Sequence, residues 1–172
     1  MKRLILPIFG ILIFYSEGIF AMFSPIEVFG DNRFLVPRFL FLFILFLSVY
    51  YQSRVAYIYG FVFGFSYDLF FTGVIGIYTV LFPLLVYIAL AILKLIHHHV
   101  IVVGFLGIIL IAVLEWIVYQ FNHLIGVTVV DFSTFLTQRL YATLIFNSLF
   151  ILLLAYPFKM WMTNLRQTHL ED

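Results

Sequence analysis

The chain is expected to be an all-α integral membrane protein, a compact bundle of six transmembrane helices with both termini in the cytoplasm. Three observations carry that expectation. Hydrophobic residues fill 65% of the 172 positions and charged residues only 10%, against about 45–50% and 25% in soluble domains. Mean hydropathy is +1.18. The apolar residues also gather into runs of membrane length, and a chain so poor in charge has to satisfy its backbone within lipid, which for such runs means helices. The runs use nearly all of the sequence, so 1–172 reads as a single transmembrane domain with no room for a soluble catalytic one.

The first run is Leu4–Phe23. Met1, Lys2 and Arg3 ahead of it imitate a signal peptide, but Glu17 lies inside the run and no A-x-A-like site closes it, so it is expected to be a retained helix. Phe34–Tyr51 is the second. Val55–Phe71 and Gly73–Leu93 follow as the third and fourth, because Val55 to Leu93 is too long for one helix and Asp68, Thr72 and Gly73 supply a tight hairpin. Val100–Phe121 and Leu140–Phe158 complete the set, each near the roughly 17–25 residues that cross a hydrocarbon core. Between the last two runs lies one long loop. Its Leu124–Val130 stretch is apolar and β-branched, and Asp131 is suited to cap a short helix carrying Phe132, Phe135 and Leu136.

Orientation follows from the basic residues. With the N-terminus inside, Lys2, Arg3, Arg54, Lys94, Lys159 and Arg166 fall on the cytoplasmic side, and only Arg33, Arg38 and Arg139 toward the outer one. Glu27, Asp31 and Asp131 fall outside as well. A net charge of +1 gives neither a nucleic-acid footprint nor a polybasic lipid patch. The absence of cysteine excludes disulfides, thiolate chemistry and a lipoprotein anchor.

Ionisable groups within the runs are the candidate functional residues, since each costs at least about 2.5–3.5 kcal/mol at the bilayer centre. They are Glu17, Arg38, Asp68 and Glu115. Helix rise places each roughly 6–10 Å below the outer hydrocarbon boundary, which suggests one polar layer in the outer leaflet. Arg38 is the natural counter-ion for one carboxylate. Such a layer serves either as an ion pair that fixes helix packing or as a ligand or proton site. No spacing suits a catalytic dyad, no cofactor is implied, and no metal site is expected. Adjacent His97, His98 and His99 point in different directions on a helix, whereas paired ligands want i, i+4 spacing, so they read as a solvated turn.

The third run carries the sharpest pattern: Ala56, Gly60, Gly64 and Asp68, each four residues apart. Four residues turn a helix by about 400°, so these positions form one stripe along which another helix can approach closely. Arg139, Thr143 and Asn147 repeat the spacing as a polar ridge in the sixth run, and Gly104, Gly107 and Glu115 share a face of the fifth. Gly76 and Pro83 are expected to bend or thin the fourth. Tyr50, Tyr51, Tyr156 and Trp161 suit interfacial anchoring.

Gly60, Gly64 and Asp68, followed by Gly73 and Gly76 in the turn before the next run, resemble the signature of the MreD family of bacterial rod shape-determining membrane proteins. Length, span number and a short basic tail fit the same family, so the resemblance covers essentially the whole chain. It implies a non-enzymatic role in the plasma membrane: a scaffold of the cell-wall elongation machinery that binds MreC and, through it, MreB, RodA and a class B penicillin-binding protein. It implies that Ala56, Gly60, Gly64, Asp68, Gly73 and Gly76 serve packing and partner contact, and that no catalytic residue is to be found. The family is also similar to the S components of energy-coupling-factor transporters, so a small-molecule or lipid-binding transport subunit is the alternative function. An intramembrane enzyme acting on lipid-linked precursors is a third class.

Overall fold

The computed structural model describes the backbone of residues 5–24, 26–28, 31–96 and 98–171, and side chains over 5–24, 33–96 and 98–167. Lys2 and Arg3, ahead of the first expected span, and Leu4, which opens it, lie outside the described residues, as do His97 and the side chains of Glu27 and Asp31.

Apolar helices dominate. They are α1 (Ile5–Met22), α2 (Phe39–Tyr51), α3 (Ser53–Thr72), α4 (Ile77–Leu93) and α5 (Val100–Leu124). The last, α6, starts as Phe132–Thr134, widens through Phe135–Leu140 and continues as Tyr141–Glu171. Four of these, α1, α3, α5 and α6, are long and apolar enough to cross a membrane. By helix rise α2 and α4 reach only about 20 Å and 26 Å, short of the roughly 30 Å hydrocarbon core.

Several boundaries differ from the sequence expectation, each for a physical reason. The second run was expected from Phe34, but residues 34–38 have no regular secondary structure and the helix begins at Phe39. Pro37 lacks an N–H and drives Val36 out of the helical region. The fourth helix begins at Ile77 rather than Gly73, because Gly73 and Gly76 adopt left-handed φ values of 68° and 115° and hold the connection as a turn. The short helix expected after Asp131 is instead the start of α6, which passes Pro157 without ending and reaches Glu171, well beyond Leu140–Phe158. Strands Ile26–Val28 and Asp31–Arg33 pair antiparallel, a hairpin absent from an all-α reading.

The chain divides into two compact units, one of residues 1–40 and 111–149, the other of 41–110 and 150–172. In the second unit α2 is enclosed on all sides: every residue from Phe41 to Leu47 is at most 3% exposed. Its rings meet Phe82 of α4, Tyr59 of α3 and Phe158 of α6. A Cβ on Gly107 of α5 would stand 3.0 Å and 3.2 Å from Leu42 and Leu45, so that glycine lets α5 close on α2.

Buried positions of α5 recur at the helical period: Val103, Leu106, Leu110, Ile111, Leu114, Glu115, Val118 and Tyr119. Ile101, Phe105, Ile109 and Trp116 occupy its exposed side. In α1 the buried set is Leu6, Gly10, Ile13, Phe14 and Glu17, while Ile8, Leu12, Tyr15 and Ile19 are exposed. Large apolar side chains on the outside of long helices are what lipid as solvent requires.

Candidate functional site

In the first unit, three of the four singled-out ionisable residues gather around the entry to α2. Glu17, Arg38 and Glu115 are each at most 2% exposed. Arg38 Nε donates to Glu115 Oε1 at 2.6 Å, and its Nη2 forms an ion pair with the same oxygen. Arg139 Nε donates to Glu115 Oε2 at 3.0 Å. Glu115 is thus clamped by two guanidiniums, one of which, Arg139, reaches partly exposed space. Glu17 Oε1 accepts from the backbone N–H of Leu40 at 2.7 Å, which makes it a cap for the first turn of α2 supplied from another helix.

The expected ridge of α6 supplies the remaining ties. Asn147 Oδ1 accepts from the N–H of Arg38 at 2.8 Å, and its Nδ2 donates to Val36 O at 2.9 Å. Val36 N donates to Thr143 Oγ1 at 3.2 Å, and Phe34 N to the carbonyl of Gln138 at 2.9 Å. Backbone that is neither helix nor barrel is tolerated at membrane depth only when protein satisfies it. Thr143 and Asn147, both 0% exposed, do that for the irregular segment 34–38. The sequence places the ridge and names Arg38 as a counter-ion. It does not reveal Arg139 as the second clamp, nor the irregular segment, whose only local signal is Pro37.

Asp68 makes its contacts elsewhere, in the second unit. Its carboxylate sits at the end of α3 and reaches the start of α4. Oδ2 accepts from Gly76 N at 2.8 Å, Thr79 N at 3.0 Å and Thr79 Oγ1 at 2.6 Å, and Oδ1 accepts from Tyr78 N at 2.8 Å. One carboxylate, 0% exposed, therefore takes up three otherwise orphaned N–H groups where the helix dipole favours negative charge. Thr79 is a partner the sequence had not marked.

The rest of the stripe packs on α4. Ala56 is 0% exposed. A Cβ at Gly60 would lie 3.3 Å from Pro83 N, and one at Gly64 only 2.4 Å from Tyr78 O and 2.9 Å from Thr79 Cα. Gly64 thus brings the two backbones together at the height where Asp68 crosses. Gly73 and Gly76 have open space around them and are glycines for their left-handed φ instead. The two stripe glycines should separate on substitution: Gly64→Ala costs about 2–3 kcal/mol by overpacking against backbone. Gly60→Ala, eased by the better helix propensity of alanine, stays below about 1 kcal/mol. Thermal unfolding of both variants in micelles measures this, and equal losses would contradict the geometry.

Elsewhere, His99 Nδ1 accepts from Ile101 N at 3.4 Å, so this member of the histidine run starts α5. His98 lines a cavity described below. Asp131 caps α6, accepting from Thr134 N at 3.2 Å and Thr134 Oγ1 at 2.7 Å. The Ser133 hydroxyl first, then Thr134, holds its carboxyl down to about 2.

Helices of membrane length, with buried charges that tie the chain to itself, define an integral membrane protein of helical type. It belongs to the MreD family: the family model for rod shape-determining protein MreD matches residues 2–165. It is 33% identical over 167 residues to the rod shape-determining protein MreD of Bacillus subtilis (strain 168), covering 97% of each chain. It is 29% identical over 160 residues to the cell shape-determining protein MreD of Streptococcus pneumoniae (strain ATCC BAA-255 / R6), covering 91% of this chain and 92% of that one. No solved structure matches. The chain is therefore a membrane protein of cell-shape determination.

Proposed function

We propose that the chain is a non-enzymatic scaffold of the cell-wall elongation machinery in the bacterial plasma membrane, needed for rod shape. It crosses the membrane six times with both termini in the cytoplasm, the shorter α2 and α4 completing their crossings with the flanking segments 34–38 and 73–76, binds MreC, and links it to MreB, RodA and a class B penicillin-binding protein. Family membership over residues 2–165 carries the reading. The side-chain chemistry supports it: Asp68 and Glu17 cap helices, and Glu115 holds two arginines. A transport subunit of the S-component kind would need some of those groups for a ligand, so the scaffold is the better supported function.

The Ala56–Asp68 stripe is filled by α4. We therefore place the MreC contact on exposed apolar faces such as those of Phe105 and Leu152, 69% and 81% exposed. Photoreactive residues at these two positions are expected to capture MreC in intact membranes, and one at Gly60 is not. Rod-shaped cells in which no exposed apolar face of this chain captures MreC would overturn the reading.

A further inference from the structure

The second unit contains a cavity of about 350 Å³ that the roles described above do not use. It lies where three apolar helices end together. Ser48 and Val49 come from the last turns of α2, Ser53 and Tyr57 from the first turns of α3, and Tyr87, Leu90, Ala91, Leu93 and Lys94 from the end of α4, with His98 beyond. Tyr50 of α2 steadies that last segment, its hydroxyl donating to His98 O at 3.3 Å.

The lining is mixed. Lys94, His98 and the two serines are polar, whereas Val49, Leu90, Ala91 and Leu93 are apolar. Among the described residues no carboxylate lines it. Among the described residues, the ion pairs seen are those of Glu115 with Arg38 and Arg139, and Lys94 takes part in neither. The first turn of α3 opens here too. Its N-cap, Gln52, makes no side-chain capping bond, but the ends of α2 and α4 bring two negative dipole ends to the same place, so the positive charge of the site rests on Lys94. Helix ends rich in tyrosine and lysine sit at the boundary between headgroups and acyl chains. Tyr87 of the lining is 63% exposed.

We propose that this cavity binds the phosphate headgroup of an anionic phospholipid, with Lys94 and His98 on the phosphate and the apolar lining residues Val49, Leu90, Ala91 and Leu93 along the glycerol and upper acyl chain. The test is native mass spectrometry of the full chain released from micelles across a phosphatidylglycerol series, with phosphatidylcholine and inorganic phosphate as the other arms. The unaltered chain is expected to retain phosphatidylglycerol and not phosphatidylcholine. Lys94→Gln should weaken retention about fivefold, as expected for one interfacial lysine. Ala91→Trp, which fills the cavity from an exposed position, should abolish it, while Arg166→Gln, outside the cavity, leaves it unchanged. Monodisperse elution verifies that each variant is folded. Equal retention of the two lipids, or binding undiminished in both Lys94→Gln and Ala91→Trp, overturns the site. Displacement of the lipid by millimolar inorganic phosphate overturns the lipid assignment in favour of a soluble phosphate compound.

Discussion

Glu115→Ala is expected to destabilise the folded chain by about 3–5 kcal/mol, the usual consequence of removing one partner from a buried ion pair. The loss arises mainly at Arg38, which is 1% exposed and would keep its charge with its clamp gone. Arg139 suffers less, being partly exposed. The diagnostic comparison is a double replacement. Arg38→Met combined with Glu115→Leu removes both buried charges while keeping volume, and should recover most of the stability lost by Glu115→Ala, since apolar pairs replace buried ion pairs at little cost. Unfolding in micelles, with the amount of chain in membranes as a second readout, measures this. A double variant no more stable than Glu115→Ala would mean that the charges themselves are required.

Asp68→Ala should be comparably severe, at about 4 kcal/mol. Three backbone N–H groups and the Thr79 hydroxyl lose their acceptor at once, each worth about 1–3 kcal/mol when left buried and unmet, less what local relaxation returns. Asp68→Asn keeps one oxygen and should lose roughly half as much. Thr79→Val removes a single hydroxyl donor and should cost about 1 kcal/mol. Denaturation series on the three variants, together with their ability to restore rod shape in cells lacking the native copy, give the ordering. An Asp68→Ala protein as stable as the native one would show that α4 starts without help from α3.

These outcomes depend on details that the sequence revealed unevenly. Among the described residues, the expected runs Leu4–Phe23 and Val100–Phe121 agree to within about three residues with the helices Ile5–Met22 and Val100–Leu124, because long uninterrupted apolar stretches favour lipid-spanning helices. The Gly60–Gly64–Asp68 stripe was readable as a packed face. Its partner was not, since spacing along one helix does not name the helix that fills it. Asp68 offered a further clue in Gly76, eight positions on, whose N–H it accepts. The Arg38–Glu115 pair was half legible: both charges were evident, but contacts across 77 residues leave no local trace. The irregular stretch 34–38 is hidden in the sequence because its neighbours are as apolar as any helix, and only Pro37 argues otherwise. The length of α6 was underestimated because its polar final turns read as a tail once lipid contact ends.

That irregular stretch also orders how the molecule is made. Arg38 leaves the ribosome 77 residues ahead of Glu115 and 109 ahead of Asn147. During that interval Glu115 and Asn147 are not yet there for its guanidinium and its N–H, and a charged side chain entering hydrocarbon costs at least about 2.5–3.5 kcal/mol. The joint gains its ion pair only when α5 has been made and its backbone acceptor only when α6 follows, so translation halted before residue 115 leaves both of those ties unmade.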